Sequence, residues 1–517
     1  MRFLAFLILI FPLLIKAQSM GSDIANRSVV SDIYPGPGRV PSMFLVPATD
    51  TLLQPEGMRS DFNFLREKLE QTHPGLYKRR SKEAMQHLMD SLSKTIDRPL
   101  GFLAFYSKIA FLMAETRCEH SYANMGTRGD ELMKKWKMLP FQLFFSGTKP
   151  MVIVNGTGDR DIVPGDELVS INGRPIDIII STIRQYLPAD GFMTSPKDHW
   201  LSSMNFNMAY NQFIEQPEAY DVVFKKADGS FIRRSFSTGL SFREINKNAL
   251  ANPVNKTVLD ASKRGDKMRK MQFALTFETN QPVAVMTIRT FATDKKKFQN
   301  KIDGFFSEIA EKKPTDLIID LSYNGGGEEE LAAYLMSYLI DKPTKFMEME
   351  YLIDTSEAMF ALSNIPAEVR MNKYAYIDSM QNGISKAKIT EYSMELQMMQ
   401  PRQNGFHGRV WLYVNGGTAS AASTFSAVAQ SNKRAMLVGD ETSGSFSGGG
   451  TVLGLDLRLP YSGIQVHSSV VYQVFPTKGR DPNRGVVPEI AFIPDFKALT
   501  GDNREWIELI LARIKAL

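Results

Sequence analysis

The chain is poor in cysteine, since Cys118 is the only one among 517 residues. A single cysteine excludes any disulfide within the chain, so packing alone must hold the fold together. The absence of disulfides also predicts that an exported form would belong to a bacterial periplasm or cell exterior. We interpret Cys118 as a small buried filler, while its place two residues before His120 leaves a reactive thiol as the alternative.

Histidine is scarce as well. The six histidines, at positions 73, 87, 120, 199, 407 and 467, never occur at a metal-ligand spacing such as H-E-x-x-H. Because structural and catalytic zinc sites draw heavily on histidine and cysteine, this pattern disfavours a zinc enzyme. We expect neither a metal nor an organic cofactor.

The chain also lacks a strong charge and any long apolar run beyond its first residues. The formal charge of +5 falls to +3 without Arg2 and Lys16 (5 − 2 = 3), which argues against nucleic acid or an anionic membrane as partner. Arg2, the apolar run 3–15 and Lys16-Ala17-Gln18 predict a signal peptide over residues 1–17. An uncleaved anchor is the alternative, but a membrane span needs about 20 apolar residues. We therefore expect an exported protein without an integral membrane span.

Periodicity and turn residues divide the rest of the chain into regions. A proline-rich stretch predicts an N-terminal arm over 18–55, and apolar positions three and four residues apart predict a helical cap domain over 56–135. Strand patterns and the turns Pro164-Gly165 and Asn172-Gly173 predict a β-rich module over 136–240, which resembles a PDZ domain and would bind an extended peptide. A connector covers 241–275.

Residues 276–517 alternate between strand and helix patterns, which predicts an α+β core with its chemistry at strand ends. A methionine-rich insertion interrupts this core at about 346–408. Its methionines are read as adaptable core filling, with a pliable lid as the alternative.

Two glycine turns in this core indicate the site. Leu317-Ile-Ile-Asp-Leu-Ser-Tyr-Asn-Gly-Gly-Gly327 and Val410-Trp-Leu-Tyr-Val-Asn-Gly-Gly-Thr-Ala-Ser-Ala-Ala-Ser423 each lead from an apolar strand into a helix. Ser420 would lie in the first turn of its helix, where free N–H groups and the helix dipole favour an oxyanion. Each turn alone also fits an ordinary helix start, with Thr418 or Ser420 as the cap.

Taken together, the turns resemble the C-terminal processing, or tail-specific, serine peptidases, a family that includes the tricorn core and the retinoid-binding modules. The matching segments are Asp320-Leu-Ser-Tyr-Asn-Gly-Gly-Gly327, Thr418-Ala-Ser-Ala-Ala-Ser423 and Gly485-Val-Val-Pro-Glu-Ile490. The resemblance implies a ClpP/crotonase-like core with a helical cap and a PDZ-like module. It places the nucleophile on Ser420.

The differences from the family pattern indicate which branch of the family this chain resembles. The processing peptidases use a lysine base where this chain has Ser445, whereas the tricorn branch uses a histidine before the PDZ-like module. Arg117-Cys-Glu-His-Ser-Tyr122 is similar to that second segment and puts the base on His120. The resemblance also implies a late carboxylate, for which Asp481 is the first candidate and Glu489 the second.

These residues predict an exported serine peptidase that cleaves proteins or peptides. Recognition of the substrate through its C-terminus is one option for how it binds. Ser420 would attack, His120 would transfer the proton, and N–H groups of Ala421 and of Gly325 or Gly326 would hold the oxyanion. Two alternatives stay open: a non-hydrolytic module on the same fold that binds a lipid or peptide, and a hydrolase of other amides or esters. The sequence leaves the oligomeric state undetermined.

Overall fold

The computed structural model describes residues 52–516, apart from 147–148, 237–238, 270–271, 375–376, 382–383, 388–392 and 497–503. The signal peptide and nearly all of the N-terminal arm lie outside the described residues. Helices and mixed sheets alternate through the described part, which confirms the α+β class. Within that part, no helix is both long and apolar enough to cross a bilayer.

The first region is helical. Phe62, Leu65 and Leu69 recur at helical spacing and are all buried, so the first helix turns one apolar face inward. Ser81 caps the second helix by accepting the N–H of Ala84. The elements of this region are α1 (Pro55–Thr72), α2 (Lys82–Lys94), α3 (Phe102–Glu115), β1 (Tyr122–Asn124) and α4 (Gly126–Met133).

A β-rich region follows. Asn172 and Gly173 both have positive φ, 50° and 75°, and join two antiparallel strands, as the hairpin prediction required. Its sheet has the order β2-β3-β4-β6-β7 with β5 beside β4. The elements are β2 (Phe141–Ser146), β3 (Lys149–Asn155), β4 (Glu167–Ile171), β5 (Arg174–Pro175), α5 (Ile176–Ile183), α6 (Ser195–Leu201), α7 (Asn205–Phe213), β6 (Tyr220–Lys225), β7 (Phe231–Phe236), α8 (Phe242–Ala251) and α9 (Lys256–Arg269).

The core contains a six-stranded sheet of order β22-β17-β16-β10-β9-β8, parallel except for β8. Every residue of β10 is buried, as expected for a parallel strand covered on both faces. The elements that build the sheet and its first two helices are β8 (Phe273–Phe277), β9 (Val283–Ile288), α10 (Lys295–Lys312), β10 (Asp316–Asp320) and α11 (Glu329–Ser337). Ala284, Met286 and Ile288 face one hydrophobic cluster, while Val283 and Val285 face another.

The rest of the core carries a second, antiparallel sheet of order β13-β14-β12-β21-β18. In the insertion, Met347, Met359 and Met399 are buried, whereas Met371 and Met398 are exposed, so core filling describes only part of its methionines. The remaining elements are β11 (Thr344–Lys345), β12 (Met349–Leu352), α12 (Glu357–Leu362), α13 (Ala367–Val369), β13 (Ile377–Gln381), β14 (Ile384–Ala387), β15 (Met398–Met399), β16 (Arg409–Val414), α14 (Ala421–Ser431), β17 (Met436–Gly439), β18 (Gly448–Gly450), β19 (Gly454–Arg458), β20 (Gln465–Ser469), β21 (Tyr472–Val474), β22 (Ile490–Ala491) and α15 (Glu505–Lys515).

Candidate active site

The two glycine turns meet at one edge of the parallel sheet. Strands β10 and β16 are parallel neighbours with Asp320 opposite Tyr413, so the turns that follow them emerge side by side. The N–H of Ala419 donates to the carbonyl oxygen of Asn324 at 2.9 Å, which joins one turn to the other. The sheet register therefore determines that residues about 100 positions apart share one site.

Gly326 packs directly against the candidate nucleophile. Its φ is +93°, and a Cβ placed on it would lie 2.6 Å from Cβ of Ser420 and 2.8 Å from the carbonyl oxygen of Ala419. Only a residue without a side chain allows this approach in that conformation.

We expect Gly326→Ala to lower kcat/KM by about 10³-fold, because the added methyl group must displace Ser420 from its position. Peptide hydrolysis checks this result. Gly304 in α10 is the matched control, since a Cβ there meets no atom within 4 Å and alanine favours a helix. Equal activities of the two variants would contradict the close packing of the turns.

Ser420 occupies a strained position at the start of α14. It is the N-cap residue, one position before the first helical turn in which the sequence placed it, and its φ of 49° is rare for a residue with a side chain. Its side chain makes no capping hydrogen bond, so the capping interpretation is wrong for Ser420. Backbone strain of this kind clusters at functional sites, and here it lies in a half-buried turn.

The oxyanion donors divide into available and occupied N–H groups. The N–H of Gly326 donates to Oδ1 of Asn324 at 2.9 Å, so Gly326 cannot serve as predicted in this conformation. Gly325 is exposed, and Ala421 is the first residue of α14, whose leading N–H groups have no partner within the helix. Of the three predicted oxyanion donors, these two N–H groups therefore remain as candidates.

His120 reaches this site from the helical cap region. Its Nε2 lies 3.5 Å from Oε1 of Glu119, and its side chain is 18% exposed. The carboxylate of Glu119 accepts a hydrogen bond from the hydroxyl of Ser443 at 2.7 Å. Burial raises the pKa of Glu119. Hydrogen bonds from the hydroxyl of Ser443 and the N–H of Ser420 partly offset this increase. Glu119 thus adjoins both His120 and the backbone of Ser420.

Ser445 stands where the processing peptidases have their lysine base, and its hydroxyl forms hydrogen bonds. Ser445 donates its hydroxyl to the carbonyl oxygen of Pro482 at 3.1 Å and accepts from the guanidinium of Arg79 at 3.0 Å. A guanidinium stays protonated in proteins and cannot remove a proton from a serine. A Ser-Lys arrangement is therefore absent at this position, as the sequence predicted.

The two late carboxylates have other contacts. Asp481 is exposed, and its Oδ1 accepts the N–H of Asn483 at 2.9 Å. Glu489 accepts the side-chain amide of Gln430 at 2.7 Å and the N–H of Leu437 at 2.9 Å, at the far end of α14. Both carboxylates hold backbone and side-chain groups of their own neighbourhood.

Asp190 is a buried carboxylate beside the His120 segment that sequence reasoning missed. It is 5% exposed, and its Oδ1 accepts the N–H of Glu119 at 3.0 Å. Asp190 stands in no recognisable motif, and only the tertiary structure brings it to the segment of His120. A single sequence carries no signal for such a long-range contact.

Burial favours the neutral form of two other titratable groups in this region. Burial raises the pKa of the Cys118 thiol to about 12, which favours the filler interpretation over the reactive thiol. Burial also raises the pKa of Glu329 to about 8, and the hydroxyl of Thr424 donates to its Oε1 at 3.1 Å.

Residues 282–492 match the family model of peptidase family S41. This stretch is a peptidase family S41 domain. It contains Ser420, both glycine turns and the Gly485-Val-Val-Pro segment, so the predicted family resemblance is confirmed. The chain is accordingly a serine-type peptidase, and its expected substrates are proteins or peptides.

Solved structures of mature CPAF share the architecture over most of the chain. Mature CPAF covers 88% of this chain and 96% of its own, with 14% identity and a TM-score of 0.56. Mature CPAF complexed with lactacystin covers 89% of this chain and 98% of its own, with 14% identity and a TM-score of 0.57. The photosystem II D1 C-terminal processing protease covers 86% of this chain and 98% of its own, with 12% identity and a TM-score of 0.39. The likeness to CPAF shows a shared fold. No curated protein matches the sequence.

Proposed function

We propose that this S41 peptidase is exported and cleaves peptide bonds with Ser420 as nucleophile and His120 as base. The observation that carries the proposal is the meeting of the His120 segment with the Ser420 turn through Glu119, which adjoins both. The hydroxyl of Ser420 is available because it does not cap its helix. Free enzymes often show long or unformed catalytic hydrogen bonds that close when substrate binds.

The chemistry follows from these positions. The oxygen of Ser420 forms a bond to the carbonyl carbon while its proton passes to His120, and the N–H groups of Gly325 and Ala421 stabilise the resulting oxyanion. Collapse of the intermediate breaks the C–N bond, and His120 gives its proton to the leaving amine. Water then attacks the acyl-enzyme by the same route, which releases the acid and restores Ser420.

The remaining features of the proposal concern location and substrate binding. Residues 1–17 would direct the chain to a bacterial periplasm or to the cell exterior. The region 136–240 would act as a PDZ-like module that binds an extended segment of the substrate. The C-terminus of the substrate is one such segment.

A fluorophosphonate probe tests the proposed nucleophile. We expect one covalent adduct, located on the peptide that contains Ser420, because the probe reacts much faster with an activated serine than with an ordinary hydroxyl. Pre-labelling should abolish hydrolysis of casein in proportion to occupancy. A folded protein that neither takes up the probe nor cleaves casein would instead support the non-hydrolytic binding module.

A further inference from the structure

Asp190 is a buried carboxylate with two backbone donors from separate parts of the chain. Its Oδ1 accepts the N–H of Glu119 at 3.0 Å, and its Oδ2 accepts the N–H of Ser445 at 3.2 Å. Glu119 precedes the candidate base, and Ser445 belongs to the loop that follows β17 beside the nucleophile turn. One side chain therefore joins the cap region to the catalytic core.

The backbone on either side of Asp190 strengthens this connection. The N–H of Gly191 donates to the carbonyl oxygen of Arg117 at 3.1 Å, and the N–H of Phe192 donates to that of Asn483 at 3.0 Å. The loop at 190–192 thus holds three segments together. The third is the turn that contains Asp481.

The core makes room for this carboxylate. A Cβ placed on Gly449 would lie only 2.4 Å from Oδ2 of Asp190, so a side chain at 449 would push the carboxylate away. Arg117 adopts φ 55°, a conformation that the surrounding contacts must stabilise. The local backbone is therefore arranged around Asp190 in both regions.

The electrostatic surroundings agree with a role beside the base. Burial and the neighbouring charge of Glu119 raise the pKa of Asp190 to about 7. The hydrogen bond from the N–H of Glu119 and the charges of His120 and Arg79 act in the opposite direction. Asp190 and His120 thus influence each other's protonation. By contrast, the carboxylate of Asp481 is exposed and holds its own turn.

We propose that Asp190 is the positioning carboxylate of this site, which holds the 117–120 segment so that His120 faces Ser420. This inference rests on the proposed function of Ser420 and His120. Asp190 takes over the orienting role that the family resemblance assigned to Asp481. It acts through the backbone of Glu119 and through its charge, without touching the substrate.

Asp190→Asn tests this role. We expect kcat to fall about 100-fold with KM changed less than about threefold, because binding surfaces stay intact while the base is misplaced. The loss should exceed that of Asp481→Asn at least tenfold. Asp341→Asn is the matched control, since Asp341 is exposed and pairs with His407. A larger loss in Asp481→Asn than in Asp190→Asn would overturn the assignment.

The pH profile separates positioning from a purely structural role. With its pKa raised to about 7, Asp190 carries part of a negative charge near neutral pH, and this charge favours the imidazolium of His120. Its loss in Asp190→Asn should therefore move the acid limb of kcat/KM to lower pH. An unmoved limb would reduce Asp190 to a structural contact and contradict the inference. The other titratable or charged groups that influence Asp190 are Arg79, Cys118, Glu119 and Tyr472.

Gly449→Ala provides a second variant that keeps the carboxyl group but displaces it. We expect a loss of kcat in the same direction, and this variant decides the question if Asp190→Asn does not fold. The outcome for Ser420→Ala separates this inference from the proposed function. Full activity of Ser420→Ala would overturn the proposed mechanism itself. If Ser420→Ala is inactive but Asp190→Asn and Gly449→Ala keep the activity of the wild type, only the role of Asp190 is overturned.

Discussion

Ser420→Ala is expected to lower kcat by about 10⁵-fold on a peptide or casein substrate, the largest effect of any single change in this chain. The hydroxyl oxygen is the atom that bonds to the substrate carbonyl, so no neighbouring group can replace it. Hydrolysis is measured by release of fluorescent peptides, and binding of a labelled peptide gives the dissociation constant of the variant.

The fold should survive this change. The side chain of Ser420 makes no capping hydrogen bond, so its loss removes no helix contact, and Tm should stay within about 2 °C of the wild type. Ser431, at the other end of α14, is the matched serine for a control substitution to alanine. Undiminished hydrolysis by Ser420→Ala would remove the proposed mechanism.

His120→Ala is expected to lower kcat by about 10⁴-fold, since a neutral serine hydroxyl is a poor nucleophile without a base. The labelling rate with a fluorophosphonate should fall in parallel, because the same activated oxygen reacts with the probe. Part of the activity should return with added imidazole, which can enter a site where the histidine side chain is 18% exposed.

His407→Ala is the control for this variant. His407 is exposed and pairs with Asp341 at 2.6 Å, outside the site formed by the two glycine turns. Its activity should equal that of the wild type and respond to imidazole no more than the wild type does. If both histidine variants kept full activity, the base would have to be sought elsewhere, with Glu119 as the next group beside Ser420.

Local patterns predicted much of the core correctly. Val283–Ile288 and the strand before Asn324 alternate or run apolar in the way that buried parallel strands require, and both are strands of one sheet. The apolar helical spacing at Phe62, Leu65 and Leu69 likewise predicted a buried helix face. These features depend on residues near one another in the chain, so the sequence alone contains the necessary information.

Hydrogen-bond partners were harder to predict where one donor or one hydroxyl had several possible partners. Gly326 has the right residue type for an oxyanion donor, yet its N–H is used by Asn324, two residues before it. Ser420 has the right type for a helix cap but leaves that role unfilled. Residue type and spacing cannot distinguish such outcomes, because the choice depends on angles set by the complete turn.

The sequence by itself determined the fold class, the serine-peptidase family and the two glycine turns that meet at Ser420, because short motifs and strand periodicity are local properties. Only the tertiary structure decided which groups surround His120. Asp190 and Glu119 meet through a hydrogen bond between residues 71 positions apart, and Ser443 reaches Glu119 across 324 positions. Contacts of this kind come from the packing of separate regions, and no short segment of the chain encodes them.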